Sequence, residues 1–218
     1  MRLGLERLSA VRDTVGTQVH IMVDCHGRLS VDTAKALVPA LKDLAVYWLE
    51  EPVMSHPQMN AVIGLADGIP ETTYEHGVRL RPLEDCGIPL AGGEFDYGID
   101  RFESILESGS LSFVMPDVKH CGGVWAATVI GWLGSERGVR LSPHNPSGPV
   151  ATIASMHVCA AASNFEILEY QWGEVTDPER LLSPYAPQLG GVLGCPSRPG
   201  FGSSLDYDAL HEREATLD

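Results

Sequence analysis

The sequence has little of what marks a secreted, membrane-spanning or nucleic-acid-binding protein. No apolar run among its 218 residues reaches the roughly 18 residues that a membrane helix needs. The opening stretch, MRLGLERLSAVRDTVG, has no apolar core of the kind found in a signal peptide. Basic residues are scarce, 15 Lys and Arg against 29 Asp and Glu, and the net charge of −14 argues against general affinity for nucleic acid or an anionic membrane. The five cysteines are odd in number and contain no CxxC pair. They argue against a zinc knuckle and a disulfide framework, and the expectation is reduced thiols in the cytoplasm. Also absent are an internal repeat, a low-complexity tract, a GxGxxG after the first strand and a GxxxxGK[ST] phosphate loop. The remainder, 44% hydrophobic and 20% charged, is sufficient to bury a core.

What is present is an alternation. Six short apolar runs read as strands: VHIMVD (19–24), VYWLEE (46–51), IPLAGGE (88–94), SFVMPD (112–117), VRLSPH (139–144) and FEILEY (165–170). Between them SVDTAKALVPALKDL (30–44), DRFESILESG (100–109) and VWAATVIGWLGSERG (124–138) read as helices. Ser30 suits a helix start, and Gly109 and Gly138 suit helix ends. Strand–helix alternation with apolar strands implies a parallel sheet covered by helices.

The polar residues distinguish a barrel from an open sheet. Asp24, Glu50 or Glu51, Glu94, Asp117, His144 and Glu169 all stand at the C-terminal ends of their runs. Barrel sites are assembled at that rim from many strands, whereas an open sheet concentrates its chemistry at one switch point. The spacings of 26, 23, 27 and 25 residues (24 to 50, 94 to 117, 117 to 144, 144 to 169) each fit one strand, one helix and two loops. The 44 residues from Glu50 to Glu94 leave an insertion near 55–87. The expected organisation is an incomplete barrel over 1–170 and a Pro- and Gly-rich tail over 171–218. That tail is expected to wrap back over the barrel and end in a short acidic helix, DYDALHEREATLD.

Asp24, Glu50 and Glu94 lie on successive strand ends. A lone Asp there is commonly a cap or turn former, but three carboxylates in register suit a hard divalent cation such as Mg²⁺. Asp117 and His144 lie on the next two strands, and a carboxylate beside an imidazole makes a base near neutral pH. His26 is two residues beyond Asp24, and strand alternation puts the two side chains on one side. Glu51 and Cys25 should point the other way. Lys119 and His120 read as a solvated loop pair, and Asn145 equally as a turn former or a substrate contact. The HERE of 211–214 is only half of a HExxH zinc motif.

In this order, VDCHGR, YWLEEP, PLAGGE, MPDVKHCGG, LSPHNPSGP, FEILEY and the closing RPGFGSSLDYDAL resemble the barrel domain of the enolase superfamily, in its mandelate racemase-like group. The resemblance covers most of the chain apart from roughly 55–85. It implies an α/β fold, a partial (β/α) barrel with about six of eight strands, without the α+β capping domain and first two strands that open the family pattern. It implies Asp24, Glu50 and Glu94 as Mg²⁺ ligands, Asp117 and His144 as the base dyad, and Glu169 as an acid that hydrogen-bonds substrate. His26 resembles the general acid of the acid-sugar dehydratases. The implied activity is abstraction of the proton α to a carboxylate with stabilisation of the enediolate, and then loss of water from an acid sugar. A racemase, epimerase or cycloisomerase, or an inactive barrel fragment, is the alternative. Self-association through the open sheet edges is expected, because unpaired edges invite pairing.

Overall fold

The computed structural model describes residues 2–53, 80–173, 178–185 and 188–214. Helix α1 (Arg2–Val15) leads into β1 (Ile21–Asp24), α2 (Val31–Asp43) and β2 (Val46–Glu50). A 3₁₀ turn (Arg81–Cys86) precedes β3 (Leu90–Gly92), then α3 (Ile99–Glu107), β4 (Phe113–Val114), α4 (Gly123–Glu136), β5 (Arg140–Leu141) and α5 (Pro149–Ala161). Most of the insertion expected near 55–87 lies outside the described residues.

Strands β1 to β5 form one parallel sheet in sequence order. Sequential order with a crossover each time is the winding of a (β/α) barrel; a doubly wound sheet reverses direction at its switch point. The register aligns Asp24 with Glu50 and Glu50 with Ala91, so the first two carboxylates share one level.

The sixth run differs from expectation. FEILEY is not a ladder strand: it holds a single parallel bridge, Leu141 to Phe165. Leu141 donates to the Asn164 carbonyl and accepts from Glu166, both at 2.9 Å. After that the chain is attached through side chains, with Ser142 Oγ donating to the Ile167 carbonyl at 2.7 Å. The ladder therefore has five strands, with a sixth segment beside β5.

Local chemistry explains the helices. The Ser30 hydroxyl caps α2 by accepting from the Thr33 amide. Gly109 and Gly138 follow α3 and α4 with φ of 71° and 70°, the left-handed conformation that ends a helix most cheaply with glycine. Phe102, Ile105 and Leu106 place one apolar face of α3 onto the sheet. The main core lies between helices and sheet and includes Leu41, Leu49, Leu90, Phe102, Ile130 and Leu141. A second cluster of Trp48, Ala91, Phe113 and Met115 fills the sheet's other face. Among the tail residues, β6 (Leu182–Ser183) pairs antiparallel with β7 (Ser204–Leu205), and Leu182 packs on Ile153 and Met156 of α5. The acidic end of the chain forms a helix over Tyr207–Glu214.

Arg12 ties α1 to the rest. Its buried guanidinium donates to the carbonyls of Gly16, Val19, Leu44 and Ala45 at 2.5–3.1 Å. Arg12→Met would leave these acceptors without their donor, and we expect it to lower unfolding free energy by about 2–4 kcal/mol. Urea denaturation checks this through a lower midpoint at unchanged slope.

Candidate active site

Five of the residues expected to carry chemistry converge beyond the C-terminal ends of the strands. Asp24 and Glu50 are the last residues of β1 and β2. Single carboxyl oxygens of Asp24, Glu50 and Glu94 lie within 4.8 Å of one another. Glu94 is buried, and among the described residues neither of its carboxyl oxygens has a hydrogen-bond partner. The His144 Nε2 is 3.4 Å from Glu94 Oε2, and its Nδ1 is 3.0 Å from Asp117 Oδ2. The imidazole thus bridges the carboxylate trio and Asp117.

The electrostatics follow from burial. Loss of solvent, with Glu51, Asp24 and Glu50 nearby, pushes the Glu94 carboxyl up to about 10. Burial raises Glu50 to about 7, against the hydrogen bond from Trp48 Nε1 at 2.9 Å, which favours its ionised form. Asp117 behaves oppositely. Burial pushes its carboxyl up, but hydrogen bonds from His144 and the Lys119 amide, with the Lys119 ammonium 3.4 Å away, hold it below its ordinary value. Three acids that repel one another beside a fourth that stays ionised is an arrangement that a divalent cation would relieve. Oxygen donors of this kind suit Mg²⁺, so the residues present fit the expected ion.

His26 reaches Asp24 by a route that strand alternation does not describe. β1 ends at Asp24, and His26 adopts φ of 46° in the following turn. Its amide donates to Asp24 Oδ1 and its Nε2 lies against Asp24 Oδ2, both at 2.8 Å. The side is as expected, but the cause is a left-handed turn. Glu169, in the sixth segment, accepts from the Asn145 amide at 2.7 Å and from Gln171 at 3.3 Å. Asn145 proves to be a brace: its Nδ2 donates to Thr152 Oγ1 and to the Glu169 carbonyl, each at 3.0 Å. Cys25 packs against the main core.

Three residues that the sequence reading set aside belong to this site. Glu51 is buried and accepts from the Gly93 amide at 2.7 Å. It needs the glycine at 92, where a Cβ would stand 2.8 Å from Glu51 Oε1. Gly93 has φ of 110° and would press a Cβ onto the Phe102 ring at 2.9 Å. The paired glycines before Glu94 are therefore required, and they were the available signal for a close approach. Lys119 reaches Asp117 as described. The His120 Nδ1 is 3.1 Å from the Glu94 carbonyl, which can only accept, so Nδ1 carries the proton. Turn chemistry after Asp117 aims this exposed pair back toward Asp117 and Glu94: the Asp117 side chain accepts from the Lys119 amide and its carbonyl from the His120 amide.

Residues 1–209 match the family described as enolase C-terminal domain-like. The chain belongs to that family. It is 29% identical over 214 residues to a D-galactonate dehydratase of Ralstonia nicotianae, covering 95% of this chain and 51% of that protein. A D-xylonate dehydratase of Haloferax volcanii is also 29% identical, over 94% of this chain and 46% of its own length. Among solved structures, an enolase-superfamily member from Salmonella Typhimurium superposes with a TM-score of 0.82 at 26% identity, over 97% of this chain and 50% of that one. A mandelate racemase/muconate lactonizing enzyme-like protein from Rubrobacter xylanophilus gives 0.79 at 30% identity, over 95% and 49%. The chain spans about half the length of the curated relatives it matches.

Proposed function

We propose that this chain carries the metal-binding and base-bearing part of an acid-sugar dehydratase. The observation that supports this most is Glu94, a buried carboxyl without a hydrogen-bond partner among the described residues, set between two further acids and the imidazole of an Asp–His pair. A structural role alone gives no reason to bury such a group beside like charges.

In this reading Asp24, Glu50 and Glu94 hold Mg²⁺, which when bound supplies positive charge opposite the carboxylate of the substrate. His144 Nε2 takes the α-proton. Asp117, ionised and bonded to Nδ1, holds the imidazole in the tautomer whose Nε2 is basic and stabilises the imidazolium. His26, on the Asp24 side, gives a proton to the departing β-hydroxyl. Glu169, set by the Asn145 amide, accepts a hydrogen bond from substrate. The products are water and a 2-keto-3-deoxy acid, and the dehydratase names of the relatives support this outcome over racemisation.

Incubation of the chain with D-galactonate and Mg²⁺ tests the reading. We expect α-keto acid to accumulate, detected as its semicarbazone, and EDTA to stop it. D-xylonate is the second substrate to try. Absence of product from both acids, with metal bound and the chain folded, would contradict the proposal.

A further inference from the structure

We infer that the outer face of α4 (Gly123–Glu136) is a self-association surface on which a second copy of this chain packs antiparallel. The helix reads GVWAATVIGWLGSE, with no charged residue before Glu136. A helix that is apolar all round is a buried helix, yet among the described residues only one side of this one is covered. Ala126, Ala127, Ile130, Gly131 and Gly134 are buried against the fold. On the outer side Trp125 and Trp132 are 74% and 61% exposed. They are seven residues apart, within about 20° of one face and about 10.5 Å apart along the axis. Val129 lies between them and is half-buried.

Three observations favour a second copy as the occupant. The net charge of −14 makes most faces of two copies repel, and the middle of this face is free of charge. The stripe is self-complementary: a two-fold axis between residues 128 and 129 lays each Trp125 against the partner's Trp132. The same axis brings Glu136, exposed and one turn beyond Trp132, to the start of the partner's helix. That start has no side-chain cap and no acidic residue in its first turn, so its amides and dipole favour an incoming carboxylate. Four indoles at about 150–250 Å² each supply half or more of the roughly 1,200 Å² at the lower end of stable interfaces.

Sedimentation velocity at micromolar concentration tests this. We expect the parent to sediment at twice its 23.5 kDa chain mass. Trp125→Glu with Trp132→Glu should weaken the dimer by about 100-fold or more, since large aromatic anchors dominate such contacts. Glu136→Lys, at an exposed position that leaves the fold untouched, should weaken it by about 5-fold. Circular dichroism and Mg²⁺ binding, at a site none of these residues joins, should be unchanged. Should the tryptophan pair unfold, Trp132→Ser and Glu136→Lys carry the test. A monomeric parent would overturn the proposal, as would association through the sheet edges that survives these substitutions.

Discussion

His144→Asn is expected to abolish exchange of the α-proton of an acid sugar with deuterated water, with a loss of about 10²–10⁴-fold. The reason is the placement of the imidazole. Its Nδ1 is held by Asp117 at 3.0 Å, and its Nε2 faces the carboxylate trio, 3.4 Å from Glu94. Asparagine preserves a polar group and removes the base. Asp117→Asn keeps the shape but removes the charge that stabilises the imidazolium, and should slow exchange by a similar factor. His26→Asn separates the two halves of the chemistry. Hydroxide is a poor leaving group at neutral pH, so dehydration needs a proton on the β-oxygen, whereas exchange at the α-carbon does not. We therefore expect His26→Asn to keep exchange and lose dehydration. Proton NMR in deuterated water reads both. An unchanged exchange rate in His144→Asn would remove the dyad from the mechanism. Dehydration by His26→Asn at the parent rate would move racemisation or epimerisation ahead.

The second large effect concerns stability without metal. The Glu50 and Glu94 carboxyls rise from an ordinary 4.5 to about 7 and about 10 in the folded chain, chiefly through loss of solvent. The folded state therefore keeps protons that the unfolded chain releases above about pH 4.5. Stability from these groups is fully present below that pH and is lost as pH rises through the folded values. Each retained proton costs about 1.4 kcal/mol per pH unit. In EDTA the parent should lose stability on going from pH 5 to pH 9, with Glu94 alone responsible above about pH 7. General self-repulsion from the net charge of −14 adds a slope of the same sign, so the informative quantity is the difference from Glu94→Gln. That variant has no proton to retain and should show a shallower decline, crossing the parent as pH rises. Urea denaturation at several pH values checks this. Parallel pH dependences would mean that Glu94 ionises normally.

Much of this architecture was legible because it is periodic. Strand–helix alternation near 25 residues announced the parallel winding, and polar residues at run ends announced the rim. The Ser30 cap and the glycine stops at 109 and 138 are local chemistry and emerged where expected. FEILEY was misread as a full strand because its apolar alternation is that of a strand. Pairing, however, depends on a neighbour, and Leu141 to Phe165 is its only bridge among the described residues. The trio and the dyad were readable because carboxylates and imidazoles are rare enough at strand ends to stand out. Glu51, Lys119 and His120 were not. Their roles depend on turns that bring them back over the rim, at φ of 35° for Glu51 and through Asp117's hold on the Lys119 and His120 amides. A two-residue period carries no information about such turns.

Metal binding is the claim on which the rest depends. Calorimetric titration of Mg²⁺ or Mn²⁺ into the chain, with the parent and Glu94→Gln side by side, measures it most directly. We expect one equivalent bound by the parent and a loss of at least about 100-fold in the variant, more than is usual for a residue that only supports a ligand. Equal binding by the two proteins, or no stoichiometric binding by a folded parent, would contradict a divalent site at Asp24, Glu50 and Glu94.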